Sequence, residues 1–414
     1  MFNTLFTYPC ILARHRASPY AESRARFLEH CADQGYPRSS LRKIAWILLV
    51  FSQSIDLNGP NRITRQEIEH AVDHRIRYAP RPEHAADSRS SRLLFIHVAS
   101  EWLRFLDRLE EPQREPKPFA NYVESFARFM RDERGLSPAT IGFRSEQLTN
   151  FFLAIRHPDA SLSTITINDI DTYLAYRGSH GWSRASLHTL ADALRSFFRY
   201  AEAQGWSGGI AAAIDAPRIY AQEGLPLGPT WEEVQRLIAS FSSNNAVDIR
   251  DRAIVLLLAI YGLRRGEVTR LHLEDMDWVG EILHVTRPKQ RRTQQYPLDP
   301  EVGEAILRYL KEARPRCHHR QLFLTLHAPV RPLQPACISP IVRSRLDALG
   351  IQVPRRGAHC LRHACARHLL AAGFSLKQIG DQLGHRSAAA TRVYAKVDLD
   401  GLRQVAELDL EGML

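Results

Sequence analysis

The chain has 414 residues, 44% of them hydrophobic and 24% charged, which is long enough for two or three domains with cores of their own and excludes a single small module. Its 55 Lys and Arg exceed its 45 Asp and Glu, giving a formal charge of +10. That balance suits a polyanionic partner but does not by itself separate nucleic acid from an anionic membrane. The longest apolar runs, residues 44–51 and 253–263, fall well short of the roughly 20 residues that cross a bilayer. The opening MFNTLFTYPC has no basic stretch ahead of an apolar one, so it reads as neither membrane span nor signal peptide, and a cytoplasmic protein is expected. Six scattered cysteines, Cys10, Cys31, Cys317, Cys337, Cys360 and Cys365, form no CxxC pair and are expected as free thiols.

Two proline-punctuated stretches, residues 111–118 and 216–229, divide the sequence. They set three expected domains, residues 1–110, 117–207 and 226–414. The first two read as all-helical and as copies of one another. The run from Tyr20 through Phe27 (YAESRARF) matches the run from Tyr122 through Phe129 (YVESFARF) at six of eight positions. Ile63-Thr64 parallels Ile165-Thr166, and Trp102-Leu103-Arg104-Phe105 parallels Phe197-Phe198-Arg199-Tyr200, in the same order. In the second copy Leu190, Leu194, Phe197, Phe198 and Ala201 recur at helical spacing. In the first, Arg38, Arg42 and Lys43 lie on or beside an expected helix 40–51 and could face phosphates.

The third segment reads as α+β. Thr230 and Glu233 have capping-box spacing ahead of Val234, Leu237 and Ile238. An apolar helix 251–261 follows and ends at Gly262-Leu263-Arg264. Residues 282–285 and 295–298 read as short strands around a basic loop that holds Lys289. His359 and Arg362 are three apart at a helix start whose other face carries Leu361, Cys365 and Leu369, so both are expected to point off the core. Ser375 and Gln378 form another capping box, Gly384 stops that helix, and His385 falls on the corner. Ser387 is expected to cap a short helix before Tyr394. Beyond it Leu399, Leu402, Val405 and Leu408 suggest an amphipathic tail.

These pieces, Gly262-Leu263-Arg264-Arg265-Gly266-Glu267, Lys289, His359-Cys360-Leu361-Arg362-His363, Leu383-Gly384-His385 and Tyr394, resemble the signature of the tyrosine-recombinase (phage-integrase) family. The resemblance spans residues 118–396. It implies a SAM-like helical core-binding domain and a mainly helical α+β catalytic domain, with residues 1–110 outside the usual pattern. It implies a site-specific DNA recombinase, integrase- or transposase-like, that acts through a 3′-phosphotyrosyl intermediate. The catalytic set is Arg264, Lys289, His359, Arg362, His385 and Tyr394, and His363 has only a structural role.

The chemistry accounts for the residue types. Two Arg forks stabilise charge on nonbridging phosphate oxygens. A tyrosine nucleophile keeps the bond energy in a phosphotyrosine, so neither metal nor cofactor is expected. His359 takes the tyrosine proton or holds the phosphate, Lys289 protonates the leaving 5′-oxygen, His385 adds a hydrogen bond, and Glu267 orients the cluster. Lys289 departs from the family pattern in lacking flanking glycines. The implied partner is double-stranded DNA with an inverted-repeat site, bound by an oligomer that builds a tetrameric synapse beside the bacterial nucleoid. The alternatives are a type IB topoisomerase or a catalytically silent DNA-binding relative.

Overall fold

The structure, a computed structural model, describes residues 1–57, 59, 61–77, 89–111, 117–155, 161–219, 228–287, 292–385 and 387–394. It divides into two compact units, Met1–Glu111 with Gly224–Leu414, and Pro112–Glu223.

The N-terminal part begins with two short helices, α1 (Phe2–Leu5) and α2 (Pro9–Ala17). Four longer ones follow: α3 (Ala21–Asp33), α4 (Arg38–Phe51), α5 (Arg65–Arg77) and α6 (Arg89–Phe105). Leu28, Ile47, Leu48, Ile68, Ala99, Trp102 and Leu103 fill the core between them. The expected helix 40–51 is thus two residues longer at its start. Within the same unit, the Val330 N–H donates to the Gln34 carbonyl at 3.0 Å. Gly35, at φ +85°, turns the chain where its α-carbon faces the Val330 side chain.

The second unit holds α7 (Ala120–Asp132), α8 (Pro138–Ile155), α9 (Ile167–Ser179) and α10 (Arg184–Ala203). Its core is aromatic: Phe126, Phe151, Phe152, Phe197 and Phe198 are fully buried. Burying each such side chain contributes about 1.5–3 kcal/mol. The helix order and the cap positions repeat those of α3 to α6. Tyr20 and Phe119 both precede their helix in the left-handed conformation, at φ 55° and 60°. Phe27 and Cys31 are buried on α3, as Phe126 and Met130 are on α7. The register therefore pairs Phe27 with Phe126 and corrects the sequence match, which had paired Phe27 with Phe129 and slid the first helix by almost a turn.

The remainder of the first unit is built around α12 (Ala246–Ile260), which is apolar almost all round and almost wholly buried. It packs against α11 (Trp231–Ala239), α14 (Pro300–Arg308), α15 (Pro335–Ala348) and α16 (Ala358–Ala371). After the short α13 (Arg265–Val268) come three antiparallel strands, β1 (Met276–Asp277), β2 (Ile282–Arg287) and β3 (Arg292–Pro297), in that order across the sheet. Register pairs Leu283 with Tyr296 and Arg287 with Arg292. The chain ends its described course in α17 (Leu376–Leu383) and α18 (Ala388–Arg392). The capping boxes at Thr230 and Ser375 form as the spacing predicts. Ser387 occupies the cap of α18 without a side-chain bond to it. The expected tail helix around Leu399 to Leu408 lies outside the described residues. All six cysteines are free. Among the described residues no helix is long and apolar enough to cross a membrane.

Candidate active site

Four segments far apart in sequence meet where α12, α16 and α17 end near one another. The first is the α12 terminus. Gly262 sits at φ +59°, and a side chain there would run into Leu383 and stand 3.3 Å from the Cys365 Sγ. Glycine thus lets the chain turn sharply against α16 and α17. Arg264 follows as the N-cap of α13. Its backbone N–H and its Nη1 each donate to the buried Glu267 carboxylate at 2.8 Å, and its Nη2 donates to the Gly384 carbonyl at 3.2 Å. The Arg264 side chain stays 39% exposed, so part of its donor fork is open to a ligand. Glu267 orients the cluster, as the sequence suggests.

Arg362 corrects an expectation. Instead of pointing off the core with His359, it is 2% exposed. It donates to the carbonyls of Gly262 at 2.6 Å and Leu383 at 2.7 Å. The last carbonyls of α17 have no partner in their own helix and carry its partial negative charge, which makes them natural acceptors for a guanidinium. Burial, with Arg264 nearby, lowers the Arg362 pKa to about 10, so it remains a cation at neutral pH. His359 is exposed at the start of α16. Its pKa is lowered by desolvation and by Arg362 and Arg264.

A third guanidinium, Arg287, escaped the sequence reading. It lies at the end of β2, is 1% exposed, and donates to the Leu383 carbonyl and the Tyr296 hydroxyl. It also reaches the Gln382 carbonyl at 3.4 Å and stands 3.6 Å from the Glu267 carboxylate. Tyr296 donates in turn to the Gln382 carbonyl at 2.5 Å. A side chain at Gly384 would occupy the space of the Arg287 guanidinium. Gly384 is itself left-handed, at φ +58°. The available signal was alternation, because Leu283, Val285 and Arg287 fall on the buried face of one strand. Lys289, two residues on, lies outside the described residues.

Tyr394 follows α18 and is 2% exposed, packed with Cys365, Ala366, Ile379 and Leu383. Its hydroxyl lies 3.0 Å from Nδ1 of His363, not of His359. The structural role expected of His363 thus becomes a direct contact with the tyrosine oxygen. The His363 and His359 rings meet edge-on, with centroids 4.4 Å apart. His385 turns off Gly384 as expected, its ring parallel to that of Tyr394 at 6.3 Å and its Nδ1 2.7 Å from the Thr391 hydroxyl. Burial pushes the Tyr394 phenol up to about 12, while Arg362 and Arg264 oppose the rise. Burial and the surrounding cations bring both His363 and His385 down to about 4, so both rings are neutral at pH 7.

Two guanidiniums, Arg264 and Arg287, therefore reach one carboxylate, with a third, Arg362, held on neighbouring carbonyls, beside a buried phenol and neutral imidazoles. Such a cluster carries uncompensated positive charge and favours an anion in its open face.

Residues 230–400 match the phage integrase family, and residues 123–205 match its N-terminal SAM-like domain. The integrase/recombinase y4rA of Sinorhizobium fredii is 34% identical over 408 residues, covering 95% of this chain and 96% of the relative. This chain belongs to the phage integrase family of tyrosine recombinases. The recombinase is a DNA strand-cleaving and rejoining enzyme of the site-specific class. It is also 28% identical to the tyrosine recombinase XerD of Listeria monocytogenes over 290 residues, 68% of this chain and 96% of that one. Among solved structures, the XerH site-specific recombinase bound to its palindromic difH substrate superposes with a TM-score of 0.54 at 18% identity, covering 86% of this chain and 98% of that one. A lambda integrase dimer bound to a core site gives 0.50 at 20% identity, covering 66% and 94%. These likenesses carry the fold: a mainly helical chain with a SAM-like helical region and a catalytic region.

Proposed function

We propose that the recombinase acts on double-stranded DNA at a site built from inverted repeats, with Tyr394 as the nucleophile that becomes joined to a 3′-phosphate. The observation that carries this reading is the group of three guanidiniums, two of them on Glu267, near Tyr394. A scissile phosphate in the open face of Arg264 would supply the missing negative charge. Arg264 and Arg362 stabilise the charge that develops on the nonbridging oxygens as the tyrosine oxygen attacks. His359 and His385 flank the phosphate as donors, and Lys289, in the sequence between β2 and β3, protonates the leaving 5′-oxygen. Arg287 and Glu267 hold the arginines against the end of α17 and act as positioning residues. The DNA in the solved relatives supports the same partner here, gripped by the SAM-like unit of residues 117–207 and the catalytic region of residues 226–414. The enzyme assembles on DNA as an oligomer, up to a tetrameric synapse, in the bacterial cytoplasm beside the nucleoid.

The test is adduct formation with duplexes tiling the DNA that flanks the gene. Tyr394→Phe abolishes the covalent protein–DNA band while a gel shift persists, because only the attacking oxygen is lost. Arg264→Ala slows cleavage by roughly 100-fold or more, the usual cost of removing a donor to a developing oxyanion. Loss of Lys289 is rescued by a 5′-thiol leaving group if it is the acid. A surviving adduct in Tyr394→Phe sinks the assignment.

A further inference from the structure

We propose that His363 is the catalytic residue that takes the proton from Tyr394 as the tyrosine attacks DNA; this rests on Tyr394 being the nucleophile. His363 Nδ1 stands 3.0 Å from the hydroxyl, within reach for direct transfer, and the contact joins two segments 31 residues apart. His359, one turn earlier on α16, is exposed and touches His363 edge-on, so it is placed to face a phosphate rather than the phenol.

The step balances within the residues present. The Tyr394 O–H bond breaks and its proton passes to Nδ1 of His363. The phenolic oxygen bonds to phosphorus, and the bond to the 5′-oxygen breaks as that oxygen gains a proton from the general acid. Religation runs the same path backwards: the 5′-hydroxyl attacks, the P–O bond to Tyr394 breaks, and His363 returns the proton.

The charges around the pair tie this transfer to the substrate. His363 is held neutral by burial first, then by His359, Arg362 and Arg355, which leaves a ring lone pair to accept a proton. Tyr394 is held protonated by burial, and His385 and Cys365 are the other titratable groups beside it. Without an anion, neither partner favours transfer, so the phenol stays inert. A phosphate in the open face of Arg264 offsets the field of Arg362 and Arg355, which disfavours a charged His363. Binding DNA thereby makes the imidazole a stronger base at the moment when the nucleophile is needed.

The experiment is single-turnover adduct formation by the full chain on nicked duplexes tiling the DNA that flanks the gene. It compares wild type with His363→Ala, His363→Asn and His359→Asn, with gel shift and thermal melting to establish that each variant folds and binds. Asparagine keeps a hydrogen-bond acceptor near Nδ1 but takes no proton. His363→Ala and His363→Asn are both expected to lose about 100-fold or more in rate. Added imidazole should restore much of the rate of His363→Ala, and alkaline pH should raise that of both variants.

His363→Asn at the wild-type rate overturns the proposal and reduces the contact to positioning. A His363→Ala faster than wild type overturns it by making the contact a restraint on the tyrosine. If the wild type forms an adduct that depends on Tyr394 and the His363 variants keep its rate and pH profile, this inference alone fails. If the wild type forms no such adduct, the nucleophile assignment falls with it.

Discussion

Helices α3 to α6 and helices α7 to α10 run in the same order, with the same left-handed residue before the first helix and a threonine capping box at the third, yet they present different interiors and surfaces. The second set closes on phenylalanines and leaves Phe143 of α8 exposed. The first set buries Arg24 where the second has Val123. Arg24 donates to the carbonyls of His15, Ser18 and Pro19, closing the end of α2. Arg38 and Arg42 both donate to the Leu5 carbonyl, so two of the three cations expected to face phosphates tie α1 down instead. Helix order and capping are properties of local sequence, and two segments can share them while their surfaces take up different work.

The comparison can be broken first at the core. Trp102 and Phe197 occupy equivalent, fully buried places. Replacing either by Ala should cost about 3–5 kcal/mol. Because they lie in different compact units, urea unfolding should show each substitution moving a separate transition, and a common shift would refute their independence. Trp102→Phe should cost far less, since the indole N–H is buried without a partner.

Next in size is an acid sensitivity that α2, which packs ahead of the first set, brings to the N-terminal helices and that the second set lacks. His15 is 3% exposed, stacked on Phe2 and Phe6, and its pKa is lowered from 6.5 to about 4 by burial, Arg24 and Arg14. The unfolded chain binds more protons than the native one between these values, so stability falls as pH drops from about 6.5 towards 4. The loss is on the order of 3 kcal/mol. His15→Phe should reduce the slope of this part of the profile, leaving the share that His363 and His385 contribute, and the second set, with no buried histidine among its described residues, should lack it. An unchanged slope in His15→Phe would assign the acid sensitivity elsewhere.

The caps sharpen the likeness. Thr64 and Glu67 exchange bonds at the start of α5, as Thr166 and Asp169 do at α9. Thr64→Ala and Thr166→Ala should each cost about 1 kcal/mol, read from the melting of their own unit. Costs that differ severalfold would end the equivalence. The smallest effect is Arg42→Ala. It should destabilise α1 by up to about 1 kcal/mol and leave the salt dependence of DNA binding unchanged. A slope lower by about one would instead place Arg42 on a phosphate.

Sequence alone determined the helical and α+β segments, the capping boxes at Thr230 and Ser375, and the stop at Gly384. Each of these depends on neighbours within one or two turns, where spacing controls contact. The sequence match between the two helical sets drifted by nearly a turn because six shared letters outweighed burial, which only the packed core reveals. Tertiary structure alone decided that Arg362 turns inward, that Arg287 joins it under Gly384, and that His363 rather than His359 meets Tyr394. Those contacts span 21 to 100 residues. They depend on how α12, α16 and α17 cross, and no periodicity within a single helix carries that crossing.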